Sequence, residues 1–403
     1  MTETLSRPLA TSTTSTDGEE YVARARALSP LIRAEADGME AARTVSEPVV
    51  QALRDAELFW ALVPREYDGL GLGIVPSLKI VEELSCADGS TGWAFMANAF
   101  STGIAAGYLT ERGAREIFAL PGRGITAGMI LPTGTAVRVE GGYRVNGQYR
   151  FASGSAHATW IGAGFSVTGA DGTPEIDANG QPVCRVAFVP RAEVDFTGGW
   201  DVMGMAATGS YDYTVSDVFV PEAHAMDTFS TVPVRPEPVY ALGLLGIGVG
   251  GHAPVALGLA RRALEEIASI TATKSRPGYA TVIGDNEMFR REFAHHEATL
   301  QAARRYVYDL HAEAELAAGR GELTDEQRAR LRQVTTWVQT VAHDVVSFAY
   351  NWGGSASLRN PSALGRCMRD ALVATQHALV EPMTLVDAAA EILPGYRLSV
   401  DGL

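Results

Sequence analysis

The stretch Gly353-Gly354-Ser355-Ala356-Ser357 … Arg366-Cys367-Met368-Arg369-Asp370-Ala371-Leu372-Val373-Ala374-Thr375-Gln376-His377 decides the fold. The paired glycines stop one long helical period, and a shorter one resumes behind them with Arg369-Asp370 in its middle and His377 near its end. Apolar residues recur at helical spacing over 255–273, 287–318, 324–350 and 364–379. Four segments of such length predict a four-helix bundle, which fills 233–403.

Toward the N-terminus the period changes twice. Across 124–232 it falls to two, and Ala136-Val137-Arg138-Val139, the turn Glu140-Gly141-Gly142 and Tyr143-Arg144-Val145 predict a hairpin in a β domain. Residues 20–123 are helical again, as in Val49, Val50 and Leu53, with breaks at Val63-Pro64 and at Asp68-Gly69-Leu70-Gly71. Residues 1–19 are rich in Thr and Ser and are expected to form a disordered head. The fold class is α+β: helical domain, β domain, helical bundle.

Composition narrows the function. Lys plus Arg is 33 against 47 Asp plus Glu, and a net charge of −14 repels phosphate backbones and anionic lipid, so neither nucleic acid nor membrane is expected as a partner. The sequence has no signal-peptide core and no run of about 18 apolar residues, which points to the cytoplasm. Cys86, Cys184 and Cys367 lie far apart and read as buried thiols. His295 and His296 are adjacent and so diverge on a helix, and no metal site is expected. Gly246-Ile247-Gly248-Val249-Gly250-Gly251 satisfies a dinucleotide-binding pattern but lacks the βαβ unit, and is read as close packing at a helix start.

The opening stretch resembles the C-terminal signature of the acyl-CoA dehydrogenase superfamily, with one departure: where that family carries its catalytic glutamate this chain has Ala378, beside His377. The resemblance covers nearly the whole chain. Leu62-Val63-Pro64-Arg65-Glu66-Tyr67-Asp68-Gly69-Leu70-Gly71 is similar to the family's Pro- and Gly-rich loop, and Ala87-Asp88-Gly89-Ser90-Thr91-Gly92-Trp93 to a segment of its monooxygenase branch. Further matches are Trp200-Asp201-Val202-Met203-Gly204-Met205 … Thr208-Gly209-Ser210 and Lys274-Ser275-Arg276-Pro277-Gly278-Tyr279. The architecture so implied is an N-terminal helical domain, a middle β barrel and a C-terminal four-helix bundle, assembled as a homotetramer joined in part by the apolar segment 383–393.

The resemblance also implies roles. Phe151-Ala152-Ser153 is the strand that meets the flavin edge, with Ser153 bonding the ring nitrogen beside the reactive carbon; a simple turn serine is the alternative. Gly128, Met129 and Ile130 line the other edge, and Trp93 serves either as a flavin contact or as a core aromatic. Arg276 and Tyr279 hold the flavin phosphate, with a surface ion pair as the competing role for Arg276, and Gly354, Ser355 and Ala356 are further cofactor-binding residues. The family's adenine-binding glutamine is Glu287 here, which leaves FMN and FAD open. His377 stands where the monooxygenase branch keeps its catalytic histidine, to accept a phenol proton or to hold a substrate hydroxyl, and Asn98 where relatives place a His or Asn near the oxygen-reacting flavin.

The function implied is that of the oxygenase component of a two-component flavin-dependent monooxygenase. Reduced FMN or FAD arrives from a separate flavin reductase and reacts with O2 through a flavin hydroperoxide, and a phenolic small molecule is hydroxylated. Alternatives on the same scaffold are S- or N-oxygenation of a thiophene or amino sugar, a divergent acyl-CoA dehydrogenase using Glu381, and a flavin-free scaffold.

Overall fold

The structure, a computed structural model, describes residues 16–396. The first helix, α1 (Thr16–Ala27), takes in 16–19 of the expected disordered head, and the rest of that head lies outside the described residues. The helical domain continues with α2 (Ser29–Ala42), α3 (Glu47–Asp55), α4 (Ile74–Ala87), α5 (Gly89–Tyr108) and α6 (Glu111–Phe118). The β domain is one sheet of β1 (Thr126–Val139), β2 (Gly142–Ala152), β3 (Trp160–Thr168), β4 (Cys184–Pro190), β5 (Asp195–Gly198), β6 (Tyr211–Pro221) and β7 (Ala225–Asp227), in the order β5-β6-β2-β1-β3-β4-β7. Then come α7 (Gly243–Gly250), α8 (His252–Thr271), α9 (Glu287–Gly319), α10 (Asp325–Gly353), α11 (Ser355–Leu358), α12 (Ala363–Ala374) and α13 (Met383–Ile392).

The sequence explains the main boundaries. Asp88, extended and buried, caps α5 by accepting from the Thr91 amide and hydroxyl at 2.9 Å each, so its small-residue run starts a helix that carries Trp93. Thr324 and Gln327 form a reciprocal capping box at the start of α10. The expected hairpin is β1–β2, antiparallel, with Val139 opposite Gly142. β1 also runs parallel to β3, but the register skips from Met129 to Gly134, and pairing with β2 begins only at Thr135. Residues 130–133 therefore fall in a register shift between the two ladders, a bulge within β1.

The bundle helices α8, α9, α10 and α12 pack on one another, and α4 packs on α8 from the N-terminal side. One apolar core, with Phe59, Phe95, Ile247, Leu259 and Val346, runs through both helical parts, whereas the sheet holds its own around Tyr143, Tyr149, Phe165 and Tyr213. Pro238–Thr271 corrects one expectation: it is long and apolar enough to cross a membrane, and 83% of its most apolar window is buried inside the protein as a core element. A second correction concerns α12, which ends at Ala374 rather than near 379. The Thr375 hydroxyl turns back onto the Leu372 carbonyl at 2.8 Å, and His377 is extended at φ −76°, ψ 132°. Cys184 is half-buried rather than buried.

Candidate active site

Four segments distant in sequence bring their side chains together where the helical core meets the β domain. Trp93, on α5, donates its indole N–H to Ser153 Oγ at 3.1 Å, just past β2. Edge-on to the same indole stand His252, at 5.1 Å between ring centroids, and His377, at 5.6 Å, and the two imidazoles lie 4.4 Å apart. The structure thus unites Trp93, Ser153 and His377 as expected. It adds His252, which sequence reasoning missed. His252 follows directly on Gly251, where a Cβ would come within 2.8 Å of the Met96 side chain, so the glycine run does provide close packing, and that packing presents the histidine. The available signal was a polar ring opening an apolar helix with no charged residue before Arg261.

The hydrogen bonds fix which nitrogens are free. His377 Nδ1 accepts the Leu379 amide at 3.2 Å, so the neutral ring carries its proton on Nε2 and presents a donor. His252 donates from Nδ1 to the Gly248 carbonyl at 3.1 Å, so its Nε2 is a bare acceptor. Burial lowers the pKa of His377, and burial together with the neighbouring His377 pushes His252 down to about 3. Both rings are neutral near pH 7, one offering an N–H and the other a lone pair.

Behind Ser153 runs a chain of hydroxyls. Ser153 Oγ lies 2.7 Å from Ser210 Oγ, which lies 2.7 Å from Thr208 Oγ1, and Thr208 donates to the Met205 carbonyl at 2.8 Å. The Met205 amide in turn donates to Asp370 Oδ1 at 2.5 Å. The Arg369-Asp370 pair of the opening stretch is thus a support: Asp370 grips the loop that carries the hydroxyls, and Arg369 pairs with Glu40. Burial first, and the charge of Asp88 second, push the Asp370 carboxyl up to about 7.

Phe151 is held at φ +63° and is 62% exposed, and its carbonyl accepts the Ser153 amide at 2.8 Å, a tight turn that buries Ala152. Of the expected edge residues, Gly128 has φ +112°, the Met129 amide is taken by Tyr213 Oη at 2.8 Å, and Ile130 opens the bulge. Asn98 is bonded to the β domain. It lies five residues beyond Trp93 on a different helix face, and its amide donates to the Thr126 and Gly154 carbonyls at 3.0 and 3.3 Å. Gly154 (φ +73°) presses so close that a Cβ would meet Asn98 Oδ1 at 2.3 Å. Asn98 ties α5 to the sheet and stands apart from the rings. Glu381 is exposed, and its carbonyl accepts from the Thr384 hydroxyl and amide.

The phosphate-end residues form a separate group. Arg276 donates to the Trp352 and Asn351 carbonyls at 2.8 and 3.3 Å and stacks over the Trp352 ring, capping the C-terminus of α10. Lys274 bonds the Gly353 carbonyl and reaches Ser355 Oγ at 3.5 Å; Gly354 (φ +53°) sits between the two cations, Ser355 and Ala356 are exposed, and Tyr279 closes the turn with its amide on the Arg276 carbonyl. Among the described residues no hydrogen bond, ion pair or ring contact links this group to Ser153.

These residues suit a flavin. The ring's polar edge needs single, directed partners, and Ser153 keeps one free lone pair. A phosphate needs cations at an exposed turn, as Lys274 and Arg276 provide beside Ser355.

Known proteins point the same way. Acyl-CoA dehydrogenase, N-terminal domain, matches residues 22–117, and acyl-CoA dehydrogenase, C-terminal domain, matches 250–382. An indole-3-acetate monooxygenase of Pseudomonas putida is 30% identical over 364 residues, covering 88% of this chain and 90% of that protein. A pigment production hydroxylase of a Rhodococcus species is 30% identical over 394 residues, covering 94% and 97%. The solved structure of XiaF from a Streptomyces species, in complex with FADH2 and glycerol, superposes with a TM-score of 0.84 at 22% identity, over 97% of this chain and 98% of that one.

Proposed function

We propose, from the premise that this chain belongs to the acyl-CoA dehydrogenase family and to its flavin-dependent monooxygenases, that the cluster of Trp93, Ser153, His252 and His377 is where it hydroxylates an aromatic small molecule. The chain is the oxygenase component of a two-component monooxygenase, and a separate reductase supplies its reduced flavin. Bound reduced flavin supplies two electrons to O2, so that one oxygen atom enters the substrate and the other leaves as water.

The chain's own residues do the rest. Ser153 holds one edge of the flavin ring and the backbone around the 130–133 bulge lines the other, and Lys274, Arg276 and Ser355 take a phosphate, a set that serves FMN and FAD alike. His377 donates from Nε2–H to the substrate's oxygen, the second of its two expected roles, that of holder. His252 Nε2 is the open acceptor beside it for a substrate O–H or ring N–H, and it receives that proton as charge develops on the ring. Such a pair fits a phenol, or an indole like that of the indole-3-acetate on which the Pseudomonas relative acts.

The observation that carries this reading is the meeting of the two neutral imidazoles, donor beside acceptor, against the indole that bonds Ser153. The test supplies pre-reduced flavin and 18O-labelled O2 to the protein with a phenol or an indole, and follows product by mass spectrometry. One labelled oxygen in the aromatic product is expected. Quantitative H2O2 with no labelled product from either substrate class would overturn the reading.

The homotetramer is supported by α13, which packs Ala388 and Ile392 against Ala329 while Met383, Leu385 and Val386 stay exposed. Val386→Lys is expected to shift the light-scattering mass toward a smaller species. An unchanged mass would place the assembly surface elsewhere.

A further inference from the structure

We infer that Ser210 and Thr208 are the residues that set the redox selectivity of this site: through the relay Ser153–Ser210–Thr208 they leave the flavin edge a hydrogen-bond acceptor only, which favours reduced over oxidised flavin. The inference rests on the proposed placement of the flavin ring at Ser153.

The direction of the relay follows from counting protons. A hydroxyl has one proton to give and two lone pairs to receive with. The Met205 carbonyl can only accept, so the 2.8 Å contact commits the Thr208 proton to it. Thr208 Oγ1 then has only lone pairs to turn toward Ser210, and at 2.7 Å Ser210 must donate. The Ser210 proton being spent, Ser153 must donate across the next 2.7 Å contact. One Ser153 lone pair is already filled by the Trp93 N–H at 3.1 Å. What Ser153 has left is one lone pair and no proton.

The two redox states of a flavin differ at the ring nitrogen this lone pair would meet. Reduced flavin carries N–H there and donates; oxidised flavin has a bare nitrogen and accepts. Reduced flavin therefore completes the relay, whereas oxidised flavin sets two lone pairs face to face. Relief requires reversing every hydroxyl and breaking the bond of Thr208 to the Met205 carbonyl, which Asp370 holds in place through the Met205 amide. An oxygenase component so built loads what its reductase delivers and releases the spent cofactor.

The test measures the dissociation constants of reduced flavin, under anaerobic conditions, and of oxidised flavin for the full-length protein and four variants. Thr208→Val lets Ser210 donate back to Ser153, and Ser210→Ala frees the Ser153 proton directly. Each is expected to shrink the reduced-over-oxidised preference about tenfold, mainly by tightening oxidised flavin, the loss of one net hydrogen bond of discrimination. In a two-electron couple that tenfold change appears as a fall of about 30 mV in the potential of the bound flavin. Thr208→Ser restores the hydroxyl and is expected to keep the preference. Ser153→Ala is expected to weaken reduced flavin most. If Ser153→Ala leaves both constants unchanged, the flavin does not sit at Ser153 and the placement falls, taking the relay with it. If Ser153→Ala weakens binding but Thr208→Val and Ser210→Ala leave the ratio unchanged, or weaken both states equally, the relay is only structural and the inference alone is overturned.

Discussion

The two halves of the site are held by opposite kinds of force. In the helical half, Trp93, His252 and His377 stand edge to edge against one core shared by the N-terminal helices and the bundle, and their positions follow from shape. In the β half, Ser153, Ser210 and Thr208 are set by the direction of hydrogen bonds, and the loop that carries them is tied to the helices by Asp370 on the Met205 amide and Ser90 on the Ala207 amide. The helical half should tolerate loss of a polar atom if volume is kept, except where that atom meets substrate. The β half should tolerate small changes of volume but not a lost proton.

The largest expected effect breaks the helical half at that exception. His252→Phe keeps an aromatic ring between Trp93 and His377 but removes the bare Nε2. Product formation should fall by about 100-fold or more, within the range of a positioned acid or base, while the affinity for reduced flavin stays within about twofold, far less than one net hydrogen bond to the ring would cost. Single-turnover product yield with pre-reduced flavin measures it. Hydroxylation at the wild-type rate would reduce His252 to a packing ring.

How much of this was legible in the sequence follows the same division. Trp93, Ser153 and His377 each sit in a local pattern that resembles a known family, so each was found one at a time. His252 was not, because its closeness to His377 exists only once α8 and the end of α12 meet over α5, a contact that no local spacing encodes. Thr208 and Ser210 were visible as a matching segment, but their role depends on which hydroxyl donates, and that is decided by the Met205 carbonyl in three dimensions. The bonds of Asn98 to the sheet were not visible in its helix pattern, and Arg276 was seen as a charge without its partners, the last carbonyls of α10. The fold itself was readable, since its changes of period mark where helix gives way to strand and back again.

A second expected effect loosens the tie between the halves. Asp370 has its folded pKa raised from 3.8 to about 7, so the folded protein keeps a proton that the unfolded chain releases above about pH 4. That stability is present in full at low pH and is lost as pH rises through 7. Asn at this position cannot titrate but keeps an oxygen for the Met205 amide. The stability of the wild type relative to Asp370→Asn should therefore fall by roughly 2–4 kcal/mol between pH 4 and pH 7.5, as read from urea unfolding at each pH. A difference flat in pH would mean that the carboxyl is ionised throughout and that its charge, rather than its oxygen, grips the loop.

The smallest effect concerns Trp93, which belongs to both halves: its ring packs on the histidines and its N–H fills one lone pair of Ser153. The two contributions separate by substitution. Trp93→Ala removes ring and N–H together and should destabilise the fold by about 3–5 kcal/mol, the usual range for emptying a buried aromatic site. Trp93→Phe keeps the six-membered ring and removes the N–H with the rest of the pyrrole part, so a smaller loss of about 2 kcal/mol is expected, one net hydrogen bond plus a small cavity. The relay survives that loss, because the N–H enters Ser153 as a donor and leaves the proton count of Ser153, Ser210 and Thr208 unchanged. Trp93→Phe should accordingly keep the preference for reduced flavin, where Thr208→Val loses it. If Trp93→Phe erased that preference while barely moving stability, the indole N–H would be the switch and the hydroxyl chain a passive support, and the division between a half set by shape and a half set by protons would have to be redrawn at Trp93.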